Sequence, residues 1–113
     1  MKILIFPLLI IFKVIFSQAG FLKLGNNING EAVGDESGRA VGINSLGNRI
    51  AIGAHKNDGN GNNSGHVRLY TKISDPISGF ATWSQIGQDI DGEVSGDNSG
   101  SSVSLSSDGN TVA

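Results

Sequence analysis

Gly25-Asn26-Asn27-Ile28-Asn29-Gly30-Glu31, followed by Gly34-Asp35-Glu36-Ser37-Gly38, returns further along the chain. The second occurrence is Gly87-Gln88-Asp89-Ile90-Asp91-Gly92-Glu93, followed by Gly96-Asp97-Asn98-Ser99-Gly100. The offset is constant at 62 residues (87 minus 25). Extended in both directions, it aligns 24–51 with 86–113 as 28 pairs without a gap, of which 13 are identical. Chance would supply about two or three identities, even in so skewed a composition. Ile43/Leu105 and Ile50/Val112 are apolar exchanges within the same alignment. A fixed period of this size marks a repeat architecture, in which each copy is one supersecondary unit.

The residues around this motif read as short strands. Val41 and Ile43 share one face of an alternating segment at 39–44, and Ile50 and Ile52 share one face at 49–54. Val67 and Leu69 do the same at 66–71, with Tyr70 opposite; a weaker segment at 82–86 carries Trp83 and Ile86. Alternation at period two is the mark of a half-buried strand. Turn signals separate them: Leu46-Gly47-Asn48, its counterpart Asp108-Gly109-Asn110, and a long polar loop at 56–65. No segment has helical periodicity. Beyond residue 19 the chain holds all 17 Gly, with 11 Asn and 13 Ser, all poor helix formers. Four short antiparallel strands per period, in tandem, describe blades of a β-propeller. A β-sandwich or another β-repeat array is the competing architecture, but sandwich strands need not repeat in sequence. The expected organisation is a first blade at 24–85 and part of a second at 86–113. The second copy stops at Ala113 inside a strand, so the expectation is a fragment of a longer reading frame.

The N-terminus has a different character. Met1-Lys2 is a short basic start, and 3–16 is apolar apart from Pro7 and Lys13. Ser17-Gln18-Ala19 then places small residues where a signal peptidase would cut before Gly20. A membrane anchor is the rival, but a spanning helix needs about 20 apolar residues, and this run is shorter and holds a lysine. The expectation is a signal peptide at 1–19, a short leader at 20–23, and a secreted or cell-surface product. The membrane is then met only transiently, through the signal peptide.

Composition excludes several classes. The net charge is -2, and the chain has no Lys/Arg cluster, which disfavours a nucleic-acid partner. No cysteine is present, so a disulfide framework and a thiolate metal site are excluded.

Ser37-Gly38-Arg39-Ala40-Val41, then Ile50-Ala51-Ile52-Gly53-Ala54-His55, then Gly65-His66-Val67-Arg68-Leu69-Tyr70, resembles the FG-GAP repeat. The resemblance covers 24–70 and part of 86–113, and Trp83-Ser84-Gln85-Ile86-Gly87 resembles the blade-joining strand of the bacterial version. Ser-Gly stands where the family has Phe-Gly, and His55 stands where it has Pro. The similarity is therefore to a divergent bacterial surface-protein type. The resemblance implies propeller blades on exported proteins, often in adhesion or polymer binding, and implies no catalytic activity.

Each residue type with possible chemistry also has a structural role open to it. Glu31, Asp35 and Ser37 recur as Glu93, Asp97 and Ser99. A group present in every copy is a feature of the repeat, whereas a catalytic site is normally built once. Asp and Ser side chains in such a run bond nearby backbone N–H groups. Asp58, Asn60 and Asn62 have the alternate spacing of a calcium loop. Only one carboxylate lies in 57–65, so calcium is a weak candidate cofactor, and a solvated turn is the stronger expectation. His55 and His66 lack a third ligand at suggestive spacing. Trp83 and Tyr70 fit a packing role better than a sugar-stacking face. The expected function is thus a non-catalytic surface-binding or adhesion module, whose ligand is a surface protein or polysaccharide. A secreted hydrolase with its chemistry elsewhere, or a structural spacer, are the alternatives.

Overall fold

The computed structural model describes residues 23–113; the expected signal peptide and most of the leader lie outside the described residues. The described chain is all-β: β1 (Ala40–Ile43), β2 (Arg49–Ala54), β3 (His66–Ser74) and β4 (Ala81–Asp91) form one antiparallel sheet in sequence order. Each strand pairs with the next in sequence, through a turn or, between β2 and β3, through the longer loop that ends at Gly65. Over the described residues the four-strand, helix-free reading of the sequence is therefore correct. Among the described residues no helix is long and apolar enough to cross a membrane.

Two strands run further than their sequence pattern predicts. β3 continues to Ser74, and β4 runs from Ala81 to Asp91 rather than over 82–86. The β3–β4 turn explains the first extension. Asp75 Oδ1 accepts the N–H groups of Ile77 and Ser78 at 2.7 and 2.8 Å, and the Asp75 N–H donates to Phe80 O at 2.8 Å. This closes a tight hairpin that keeps the ladder going to its tip. The second extension carries β4 across residue 86, where the second sequence copy begins. Ile90 and Asp91 pair with Val67 and His66 at the start of β3, beyond a bulge at 87–89, whereas the equivalent residues of the first copy form no strand. The same segment of the repeat is a strand in one copy and not in the other because only one has β3 beside it.

The second copy nevertheless reproduces the first locally. Leu105 bridges Val112 as Ile43 pairs with Ile50. Ser104 and Ala113 exchange two backbone hydrogen bonds at 2.8 and 2.9 Å, at the positions of the Gly42–Ala51 pair. The left-handed backbone positions also recur: φ is 53° at both Glu36 and Asn98, 88° and 86° at Gly38 and Gly100, and 65° and 74° at Gly47 and Gly109. The sequence repeat is thus a repeat of conformation.

The two copies stack. Ala40, Gly42, Ala51 and Gly53 share one face of β1–β2 by register, and the second copy lies on it. A Cβ at Gly53 would stand 2.1 Å from Gly100 O, and one at Gly42 would stand 3.4 Å from Leu105 N. Backbone meets backbone, which only small residues permit. At the far end the Ser45 N–H donates to Ser107 O at 3.1 Å, and the Ser45 hydroxyl reaches the same oxygen at 2.9 Å. Arg49 donates to Gly109 O at 3.0 Å and also to Asn110 Oδ1. Among the described residues the buried apolar set is small, namely Ala51, Ala54 and Val67.

Candidate functional site

Three loops meet at one end of the sheet: 31–38, 56–65 and their neighbour 92–100 from the second copy. The middle loop is bonded to the last along its length. Backbone N–H groups of Gly96, Asn98 and Ser99 donate to the carbonyls of Asn62, Asn63 and Ser64 at 2.9, 3.0 and 2.9 Å. Gly92 N–H reaches Gly65 O at 2.9 Å. The Asn60 side-chain amide donates to Gly92 O at 2.8 Å and to Glu93 O at 3.1 Å. Ser64 is fully buried beneath this seam.

The three candidate calcium ligands take separate roles here. Asp58 Oδ1 accepts the Asn63 N–H at 2.7 Å and closes the loop on itself. Asn60 turns its amide toward the second copy, and Asn62 Oδ1 accepts from the Asn63 side chain at 2.8 Å. The loop thus fastens one copy to the next, a role invisible in its composition.

The repeated acids also have partners. In the second copy, Asp97 Oδ2 accepts the N–H groups of Glu93 and Val94 at 2.9 Å each, the local turn the sequence predicts. In the first copy Asp35 is buried and instead accepts from Asn57 Nδ2 at 2.8 Å. The 56–65 loop beside it supplies that donor. Glu36 takes Arg39 at 2.8 Å and Lys56. Lys56, and then Arg39, hold its carboxyl down at about 2 from 4.5.

A charge cluster lies beside these loops. A bulge between Val67 and Leu69 leaves Arg68 opposite an irregular stretch of β4, because Val67 pairs with Ile90 while Leu69 pairs with Ile86. The bulge re-aims Asp89. Arg68 Nε and Nη2 grip Asp89 at 2.7 and 2.6 Å as a fork, and Nη2 also reaches Glu31 Oε2 at 2.8 Å. Such planar bidentate pairs are the stronger kind. Arg68 holds the Asp89 carboxyl down at about 2 from 3.8, and Asp89 in turn pushes the guanidinium up.

His66, only 3% exposed, lies against this cluster, with Nδ1 3.7 Å from Asp89 Oδ2 and no hydrogen-bond partner. Glu31, His66 and Asp89 bring one ligand atom each within 4.8 Å of one another. Sequence reasoning missed this grouping because the three residues share no motif spacing. Arg68 already stands between both carboxylates, so its charge takes the place of a cation. The arrangement is an ion-pair network pinning the segment before β1 and the end of β4 to β3. His55 lies apart from it, with Nε2 3.6 Å from Glu36.

Trp83 is half-buried and donates its indole N–H to Leu24 O at 2.9 Å, while Gly25 lies against the ring. Its role in packing the chain before the motif matches the packing expectation.

No protein-family model, curated protein or solved structure matches the chain.

Proposed function

We propose that the chain is an exported, non-catalytic β-repeat module of the propeller-blade type, serving surface binding or adhesion. One observation carries this reading. The second copy keeps the conformation of the first and is fastened to it loop against loop, so successive repeats extend one polar loop surface. Exposed Lys56, Asp58, Asn62, Glu93 and Asp97 lie on that surface. Repeat stacks commonly place ligand contacts on loops of one side, where chemistry varies without disturbing the sheets. The local chemistry supports binding over catalysis: the Glu31, Asp35, Glu36, Asp89 and Asp97 carboxylates are tied to Asn57, Arg68, Lys56 or backbone N–H groups. The FG-GAP resemblance points the same way.

The test is an array of polysaccharides and extracellular-matrix proteins probed with the purified chain. Binding lost on Lys56→Ala with Asn62→Ala is expected, since both side chains face solvent. Binding unaffected by these changes, absence of binding to any member, or turnover of a bound polymer would overturn the proposal.

A further inference from the structure

The β3–β4 hairpin reaches beyond the rest of the sheet. The last β2–β3 pair is Arg49 with Thr71, and the Lys72 N–H bond to Asn48 O, at 2.8 Å, ends the backbone contact from that side. From there 73–82 run as a two-stranded arm. A lone two-stranded ribbon is marginal in stability, so the sheet itself does not account for the extension. Its apolar side chains meet solvent: Ile77 is 97% exposed, Phe80 78% and Ile73 52%. Ile73, Pro76 and Phe80 line one cleft there. The turn also keeps its backbone donors to itself. Asp75 N–H goes to Phe80 O, Gly79 N–H to Asp75 O at 2.9 Å, and Phe80 N–H to Ser78 Oγ at 3.3 Å. Ile77 and Ser78 N–H both go to Asp75 Oδ1, and Pro76 has no N–H. A turn with its donors met internally leaves water without a large desolvation penalty. Toward the neck of the arm the chemistry changes. Lys72 and Trp83 pair across the two strands, and Trp83 donates its indole N–H to Leu24 O, beside exposed Lys23.

We propose that this tip is a contact for an anionic lipid surface: Ile77 and Phe80 enter the acyl boundary, and Lys72, Lys23 and Trp83 meet the headgroups. Two observations favour lipid over a protein partner. A bilayer offers no acceptor below its headgroups, so an inserted turn must satisfy its own N–H groups, as 75–80 do. The order from tip to neck, apolar and then tryptophan with lysine, is that of an interfacial anchor. The spacing agrees. Trp83 lies three residues beyond Phe80, which is roughly 10 Å along a strand, and interfacial segments sit about 5–10 Å into the headgroup and acyl boundary. Lys23 and Lys72 against Asp75 give the arm a positive balance that suits anionic headgroups. Asp75 sets the depth. The N–H groups of Ser78 and Ile77 hold its carboxyl below the ordinary value, so it stays charged and keeps the insertion shallow. The inference rests on the hairpin and not on the surface-binding reading, and it adds a lasting membrane contact to the transient one expected of the signal peptide.

Trp83 is the only tryptophan in the chain, so its fluorescence reads the contact directly. The exported chain, freed of residues 1–19, is mixed with vesicles of phosphatidylcholine and phosphatidylglycerol, or of phosphatidylcholine alone. Flotation with the anionic vesicles is expected, with Trp83 emission shifted to shorter wavelength. Ile77→Ser with Phe80→Ser should lower the partition coefficient at least about tenfold, because two large apolar side chains no longer leave water. Phe80→Leu, which keeps the tip apolar, should retain binding. Lys72→Gln should lower it about fivefold, on the anionic vesicles alone. Val33→Ser with Val94→Ser is the comparison: both are exposed, on loops at the opposite end of the sheet, and binding should be unchanged. No flotation, equal flotation on neutral vesicles, or an equal loss from the Val33 and Val94 changes overturns the inference. Binding by a chain with no strand signal in circular dichroism overturns it as well. Lipid-free association in sedimentation that Phe80→Ser abolishes would give the tip to a second copy, and that too overturns it.

Discussion

At the scale of single residues, two positions carry more than their chemistry suggests. Asp89 is the hub of the charge cluster, held by the Arg68 fork and by Gln85 Nε2 at 2.7 Å. Its carboxyl lies at about 2 in the folded chain against 3.8 as a free group. A lowered carboxylate adds stability that is complete above the unfolded value and lost as pH falls toward the folded one. Stability is therefore expected to fall between about pH 4 and pH 2, and Asp89→Asn should flatten that acid limb. At neutral pH the same change should cost about 1–2 kcal/mol, through lost charge-assisted bonds to Arg68. Urea titration at several pH values checks both effects, with Glu36→Gln as the comparison expected to change little, because its partners are more exposed. Gly53 is the second position. Ala there would drive a methyl group into Gly100 O, so Gly53→Ala should destabilise the stacked pair by about 1–3 kcal/mol. Loss of amide protection at Ser99 and Ser104, with the β2–β3 ladder retained, is the expected exchange pattern. Neither residue stood out in sequence: Asp89 is one acid in a repeated motif, and Gly53 is one glycine of many.

Among the elements, the 56–65 loop departs most from its sequence reading. Its composition reads first as a solvated turn and only weakly as a calcium loop, whereas the structure also bonds its Asn60 side chain and its carbonyls at 62–64 to the second copy. Asn60→Ala removes two bonds across the seam and should weaken the second hairpin by about 1–2 kcal/mol, leaving β1–β3 intact. Amide exchange of Ser104 and Ala113 would report this. Calcium is expected to bind no tighter than millimolar at this loop, since affinity grows with carboxylate number and Asp58 is alone there. Calorimetric titration decides the matter; micromolar binding lost on Asp58→Ala would reverse that assignment. The strands themselves were more legible. β2 matches its pattern end to end, because Ile50 and Ile52 alternate between clear turn signals. β4 did not, because its second half is stabilised by pairing with β3 across a bulge, and pairing partners are not written in local periodicity.

For the whole molecule, the small buried apolar set and the open Val41–Ile52 face mean that a single stack has little core with which to offset chain entropy. Residues 20–113 at high dilution are therefore expected to lack a cooperative thermal transition. A sharp, concentration-independent transition of the monomer would contradict this. Export is a separate matter: N-terminal sequencing of the secreted product should find Gly20, or a residue within two of it. The sequence by itself determined the period of 62, the all-β class and the turn positions. These depend on local rules: glycine and asparagine where φ is positive, and alternation where a strand is half-buried. Only the tertiary structure decided which loop fastens which copy, that Arg68 gathers Glu31 and Asp89, and which face of the stack stays open. Those outcomes depend on segments far apart in the chain arriving together, and spacing along the chain does not encode distance across it.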